Sequence, residues 1–504
     1  MLAGLAGSAA LLAGVSCGGD DDEAKDPGDR PAPTGNERKS LTIADPFEPA
    51  VYIEDTVYPF RDGVAECLVR VSYDATLEPG LATAWSQEEP TRWRVTLREG
   101  VRFHDGSEVT PDDVVYVLGR QAGENGAFDA FRGAQVSAEG NDIIITTQRP
   151  VPFMPALLAE GSFAIYKPSS YEENPATALP IGTGPFRLVE FRPGDRRRLE
   201  AFDDYWRGTP GVKSAEYLVV PDGRTRANMI RNGEADIARI ISPADKDALE
   251  GSRNITLHTL PLPRYRALHL NTAKGPTADV RVRKAVAHAV RRQVLVDTVL
   301  EGQAAPQAGL FSPDLPWGNP DLRGPEEDVK LARRLLEEAG YSGSNRPSLT
   351  ITTYATRPEL PDVAQVLQQQ LNDAGFDCKV EVLDYTQLET KGLAGELDLV
   401  LVVRNPMTLL DPEFIYTADY AGDGPNNLSQ YSGADDLIAR ALAESDQERR
   451  YDAYRAVERR IIEEDVATIV LSSYLQIDAV RDSIEGYQPH PTDLLVLTEQ
   501  ITKR

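Results

Sequence analysis

The sequence predicts an α/β protein of more than one domain, and three observations carry that expectation. First, 504 residues are enough for roughly three domains of about 150 residues each, with ample core. Second, residues 327–383 alternate between the two periodicities. Glu327 to Ala339 reads as a helix, apolar at Val329, Leu331, Leu335 and Leu336 and stopped by Gly340. Leu349 to Tyr354 reads as a strand, Asp362 to Ala374 as a helix opened by Pro361 and ended by Gly375, and Cys378 to Leu383 as a second strand. A β–α–β unit of this kind implies parallel strands and a right-handed crossover. Third, Trp93, Val95 and Leu97 alternate with Arg94, Thr96 and Arg98, the period of a strand with one buried face. Val101 and Phe103 restart that alternation, Asp105-Gly106 supplies a turn, and Thr110-Pro111-Asp112-Asp113 opens a helix. Its buried side is expected at Val114, Val115, Val117 and Leu118.

The remaining elements follow in chain order. Met1 to Ser16 is an uncharged Leu/Ala/Gly run, too short for the ~20 residues that span a bilayer and fitting the apolar region of a secretory signal. Cys17 follows, then polar, Pro- and Gly-rich text to Lys39, too poor in apolar groups to fold. Leu41 to Ala44 is a short strand and Ile143 to Ile145 another, with Pro150 to Pro155 turning the chain. Ile181-Gly182-Thr183-Gly184-Pro185-Phe186 is not a dinucleotide loop: the third glycine is missing and Pro185 has no N–H for a phosphate. Arg264 to Thr272 reads as a strand, Asp398 to Val403 as a continuous apolar strand, and Glu448 to Val466 as a long helix. Its apolar side carries Tyr451, Tyr454, Val457, Ile461 and Ile462. Ile469 to Leu471 is a final strand.

Several stretches resemble one family. Leu77-Glu78-Pro79-Gly80-Leu81-Ala82, the run from Trp93 to Gly106 ending in Phe103-His104-Asp105-Gly106, Gly182-Thr183-Gly184-Pro185-Phe186, Tyr205-Trp206-Arg207-Gly208 and Asn228 to Ile237 stand in the family's order. Leu270-Asn271-Thr272 and Asp279 to Ala285 follow them. The chain resembles the extracellular solute-binding proteins of family five, the peptide and nickel receptors of ABC importers, from about Leu41 to its end. That resemblance implies a two-lobed periplasmic-binding-protein fold of the Venus-flytrap type, in the large class with an extra subdomain in lobe I. The expected layout is a signal peptide over 1–16, a tether over 17–39, a lobe I core from 40–60, 181–264 and 475–504, an extra subdomain over 61–180, and lobe II over 265–474. Hinges fall near Arg264–Asn271 and Ile469–Tyr474.

The function implied is capture of a peptide or similar small solute in an interlobe cleft and delivery to a membrane permease with its cytoplasmic ATPases. A sensory role, or a non-peptide solute such as an opine, oligosaccharide or nickel complex, stays open. A net charge of −26 argues against nucleic acid or an anionic bilayer as partner. No G-x-S-x-G, H-E-x-x-H or C-x-x-C occurs, so neither catalysis nor a metal or other cofactor is expected. His104, in a tight turn, is read as structural; Cys67 and Cys378 are read as buried free thiols. Cys17 resembles the lipidated first residue of a bacterial lipoprotein, which places a monomer on the extracytoplasmic face of the membrane, although Gly14 departs from the usual lipobox and no positive charge precedes the apolar run.

By the same resemblance, Tyr58, Phe60 and Arg61 line the cleft from lobe I. Aligning on Asp411-Pro412 puts Thr408 where peptide binders hold an ammonium with Asp, and Asn405 where they place an aromatic residue. Asp411 itself reads as a helix start. Arg404, at a strand end, is a candidate for a ligand carboxylate, with a surface role as the alternative. Tyr416, Asn426 and Asn427 fall in a segment that family members use for ligand contact or closure.

Overall fold

The structure, a computed structural model, describes residues 39–504 apart from 50, 54–57, 124–127, 173, 175–177, 303, 356, 358, 407–409, 491 and 494. The expected signal segment, Cys17, the expected tether up to residue 38 and Thr408 lie outside the described residues.

A ten-stranded mixed sheet runs through the molecule. Its order is Asp377–Leu383, Ser348–Tyr354, Leu399–Arg404, Ile255–Leu270, Thr468–Arg481, Ile237–Ala238, Ser40–Asp45, Ser214–Val219, Arg196–Ala201 and Phe186–Arg192. The first three strands are mutually parallel and the βαβ reading holds, with the intervening helix at Glu359–Ala374, beginning three residues before Asp362. The two strands in the middle are long, 16 and 14 residues, and antiparallel to each other. Sequence reading made both far shorter. Pro261 and Pro263 argue against a strand interior, yet they are tolerated because pairing on the other side of Ile255–Leu270 begins only at Tyr265. Over its first half this strand has a free edge, where a missing N–H costs no ladder bond.

A separate four-stranded antiparallel sheet, Ala82–Glu89, Arg92–Leu97, Asp142–Thr146 and Gln135–Glu139, forms the core of a subdomain. Trp93, Val95 and Leu97 are buried as the alternation requires. Val101 and Phe103 are also buried, but they belong to a loop with one bridge, Arg102 to Glu108, and not to a continued strand. The helix Pro111–Gln121 starts in a capping box, the Thr110 hydroxyl accepting from the Asp113 N–H and the Asp113 carboxylate accepting from the Thr110 N–H. The long C-terminal helix runs Gln447–Arg459 and closes with a wider turn over Arg460–Glu464. The subdomain meets the segment that follows Leu399–Arg404 where Phe128 packs against Phe414, ring centroids 5.8 Å apart, and Arg149 approaches Glu413 at 3.8 Å.

His104 and the glycine turn are one structure. The Gly182 N–H donates to His104 Nδ1 at 3.3 Å, and His104 Nε2–H donates to the Gly184 carbonyl at 3.0 Å. Burial holds the imidazole down to about 4, so it stays neutral. A Cβ on Gly182 would lie 2.1 Å from the Val64 carbonyl oxygen and one on Gly184 2.3 Å from that of Gly63, which is why both positions are glycine. Cys67 and Cys378 are free and buried, in separate cores.

Candidate functional site

Strand direction places the site. Ile255–Leu270 pairs antiparallel with Leu399–Arg404, so the parallel strands of one group all end, at Tyr354, Leu383 and Arg404, facing the other group. Thr468–Arg481 pairs antiparallel with Ile237–Ala238, and Ser40–Asp45 and Ser214–Val219 run with the latter, so Asp45, Val219 and Ala238 end facing back. Ligands of open α/β sheets bind outside the carboxyl ends of the strands, and here two such edges meet at one cleft. The long strands cross between them, and their ladder slips between Leu262 and Tyr265 and again between Arg266 and Ala267, opposite Tyr474 to Val470. Such irregularities are where a sheet bends. Beside them a cavity of about 540 Å³ opens, walled by Tyr73, Pro263, Phe311, Pro406 and Ser473.

The cleft is rich in arginine, and most of it is already neutralised. On the first side Arg239 pairs with Asp45 at 2.7 Å and with Asp493, and Arg61 pairs with Asp493 at 2.6 Å. At the crossing, Arg266 lies over the Tyr474 ring, 3.5 Å from its centroid, and reaches Glu359 at 3.3 Å; the Tyr474 hydroxyl donates to the same carboxylate. On the second side Arg404 pairs with Asp419 at 2.9 Å. Two arginines differ. Arg264 and Arg357, both half-buried, have no carboxylate within ion-pair distance among the described residues. Burial lowers the Arg264 pKa from its ordinary value, and the charges of Arg357 and Arg61 push the same way against Asp493. Two guanidinium groups that feel each other's charge, neither of them in an ion pair among the described residues, are an arrangement that can take an anion.

The residues singled out from sequence are distributed differently. Arg61 sits in the first-side network, with Tyr58 beneath its guanidinium at 5.0 Å. Phe60 is buried beside a separate small cavity of about 100 Å³. Arg404 is neither a surface group nor a free cation: Asp419 holds it, and it also donates to the Asn426 carbonyl at 3.4 Å. Asn405 follows it, exposed, at the strand end. Tyr416 is 1 % exposed and donates to the Tyr454 carbonyl; Asn427 bonds Ala421, Tyr431 and Ser429 and so pins a turn. Asp411 accepts from the Glu413 N–H, as a helix start does, and also from the Tyr454 hydroxyl, with Arg450 at 3.5 Å. Sequence reading passed over Arg264 and Arg357. Nothing local distinguishes them among the chain's 53 basic residues; the only available hint was that each borders a strand end or hinge.

Residues 76–426 match the bacterial extracellular solute-binding proteins, family 5 Middle. The chain belongs to that family. It is 25% identical over 494 residues to a dipeptide-binding protein of Escherichia coli (strain K12), covering 88% of this chain and 90% of that one. It is 28% identical over 399 residues to the glutathione-binding protein GsiB of the same organism, 74% of this chain and 76% of that one. Its structure is similar to that of a nickel ABC transporter protein from Bacillus halodurans, at a TM-score of 0.80 and 26% identity, over 92% of this chain and 100% of the other. The two strand groups are therefore the lobes of a family 5 periplasmic-binding fold, and the molecule is the solute-binding component of an ABC import system. Family 5 proteins are extracytoplasmic transport binding proteins rather than enzymes and work with ABC permeases. Among the described residues no cluster of His, Cys, Asp or Glu is arranged to hold a metal, and no helix is long and apolar enough to cross a membrane.

Proposed function

We propose that the cleft captures a small anionic solute, an acidic or N-blocked peptide or a comparable carboxylate, through Arg264 and Arg357. The observation that carries this is a pair of half-buried guanidinium groups, neither in an ion pair among the described residues, at the crossing of a chain whose net charge is −26. The supply of negative charge points the same way. Asp419 is spent on Arg404, and Asp411 on Arg450 and Tyr454, so these two acids following Leu399–Arg404 are engaged before any ammonium arrives. A buried ammonium without a counter-charge is strongly disfavoured. A glutathione-binding relative fits a carboxylate-rich peptide ligand. In this reading the lobe I core is 40–60, 181–264 and 475–504, the subdomain 61–180 and lobe II 265–474, and Cys17 carries the lipid that keeps the receptor beside its permease.

Calorimetry on a panel of N-acylated acidic, free acidic and free neutral di- and tripeptides tests it. The acylated acidic members bind tightest, and Arg357→Ala weakens them by about 2 kcal/mol, roughly 30-fold in Kd. Submicromolar binding of neutral free peptides, unaffected by Arg357→Ala, overturns the proposal.

A further inference from the structure

Three of the chain's four tryptophans line a single cavity whose lining includes none of the arginines named in the cleft. It has a volume of about 830 Å³, within the range of small-ligand sites, and lies between the subdomain and lobe II. Trp85 and Trp93 reach it from adjacent strands of the four-stranded sheet, with Phe153 beside them; Trp317 and Tyr451 face them from lobe II. The Trp93 indole N–H is satisfied by the Val151 carbonyl at 3.1 Å. That of Trp317 is not: the residue is 3 % exposed and its Nε1 has no hydrogen-bond partner among the described residues. A second buried donor, Nε of Arg450, is also without one among the described residues, although the other nitrogens of that guanidinium reach Glu444 and Asp411. Both residues line the cavity, and buried donors left unmet cost about 1–3 kcal/mol each, a cost that an acceptor brought within reach of them removes.

The lining selects among guests. An apolar molecule would suit the rings but leave both donors unmet and would desolvate Gln447, Glu448 and Asp452 at the rim. An anion meets the carboxylates of Asp411, Glu448 and Asp452, and a cation meets Arg450 and Arg455. What remains is a neutral molecule with C–H faces to lie on aromatic rings and hydroxyl groups at its edge, both donating and accepting. We propose that this cavity is a second binding site, for a neutral sugar of one or two rings. A sugar held there touches subdomain and lobe II together, and so ties them to each other. The site is independent of the anionic-solute reading of the cleft.

The test uses the full chain with glucose, N-acetylglucosamine, maltose and cellobiose, followed by calorimetry and by tryptophan emission, since Trp85, Trp93 and Trp317 all report on the site. At least one sugar binds saturably. Trp317→Phe, which keeps the ring bulk and removes the N–H, weakens that sugar tenfold or more, and Trp85→Ala, at a partly exposed ring, does the same. Arg357→Ala leaves sugar binding unchanged. The proposal is overturned if no sugar of the panel binds saturably, if binding survives both tryptophan substitutions, or if indole or another apolar guest occupies the site in preference.

Discussion

Substituting Arg404 separates a role in the fold from a role in ligand capture. The carboxylate of Asp419 is 2 % exposed and sits 2.9 Å from the Arg404 guanidinium, itself largely buried. Arg404→Ala therefore leaves a buried charge without its partner, and breaking a buried pair from one side costs about 3–5 kcal/mol. The double variant Arg404→Ala/Asp419→Ala removes the orphan as well and should recover most of that loss. The pH dependence follows the same logic. Burial already raises the Asp419 carboxyl above its ordinary value, with Arg404 as the main opposing charge. Without Arg404 the folded state holds a proton that the unfolded chain has released. Stability is then greatest at low pH and is lost as pH rises through the raised value. Urea denaturation followed by circular dichroism at pH 5 and pH 7 should show a deficit for Arg404→Ala that is smaller at pH 5. Calorimetry on the same samples should show ligand affinity close to wild type once the fraction folded is counted. Wild-type stability combined with lost ligand binding would refute the reasoning and return Arg404 to the cleft.

Other perturbations read different parts of the molecule. Glu66 is half-buried and among the described residues accepts from neutral donors, Tyr205, Trp206 and Thr183, and desolvation pushes it from its ordinary 4.5 up to about 7. Its folded form retains a proton across that window, so stability should fall by roughly 3 kcal/mol as pH rises from 4.5 through 7; Glu66→Gln should flatten that slope in denaturant titrations. Gly182→Ala, with its Cβ 2.1 Å from the Val64 carbonyl oxygen, should cost roughly 3 kcal/mol in urea denaturation, whereas Gly100→Ser, whose surroundings are open, should cost only the strain of its φ of +75°. Cys17→Ser should release the protein from the membrane fraction or leave it unprocessed, read by fractionation and mass spectrometry. Small-angle scattering should show compaction when the cleft ligand binds, the bend falling at the ladder slips around Leu262–Ala267; an unchanged radius of gyration with bound ligand would exclude a hinge.

Local chemistry determined much of this protein directly from its sequence. The helix start at Thr110, the strand from Trp93 to Leu97 and the βαβ unit ending at Leu383 each answer to a rule that acts within a few residues, so they were legible without coordinates. What depends on partners far away in the chain was not. The free edge that lets Pro261 and Pro263 lie inside a strand exists only because Leu399–Arg404 stops pairing at Tyr265. Whether an arginine is a ligand contact or a fold element depends on which acid lies within about 4 Å. Asp419 claims Arg404, while Arg264 and Arg357 find no carboxylate among the described residues. Three tryptophans from two separate bodies share one cavity for the same reason. Periodicity and caps are carried by neighbours along the chain; charge balance and cavity walls are sums over neighbours in space, and only tertiary structure decides those.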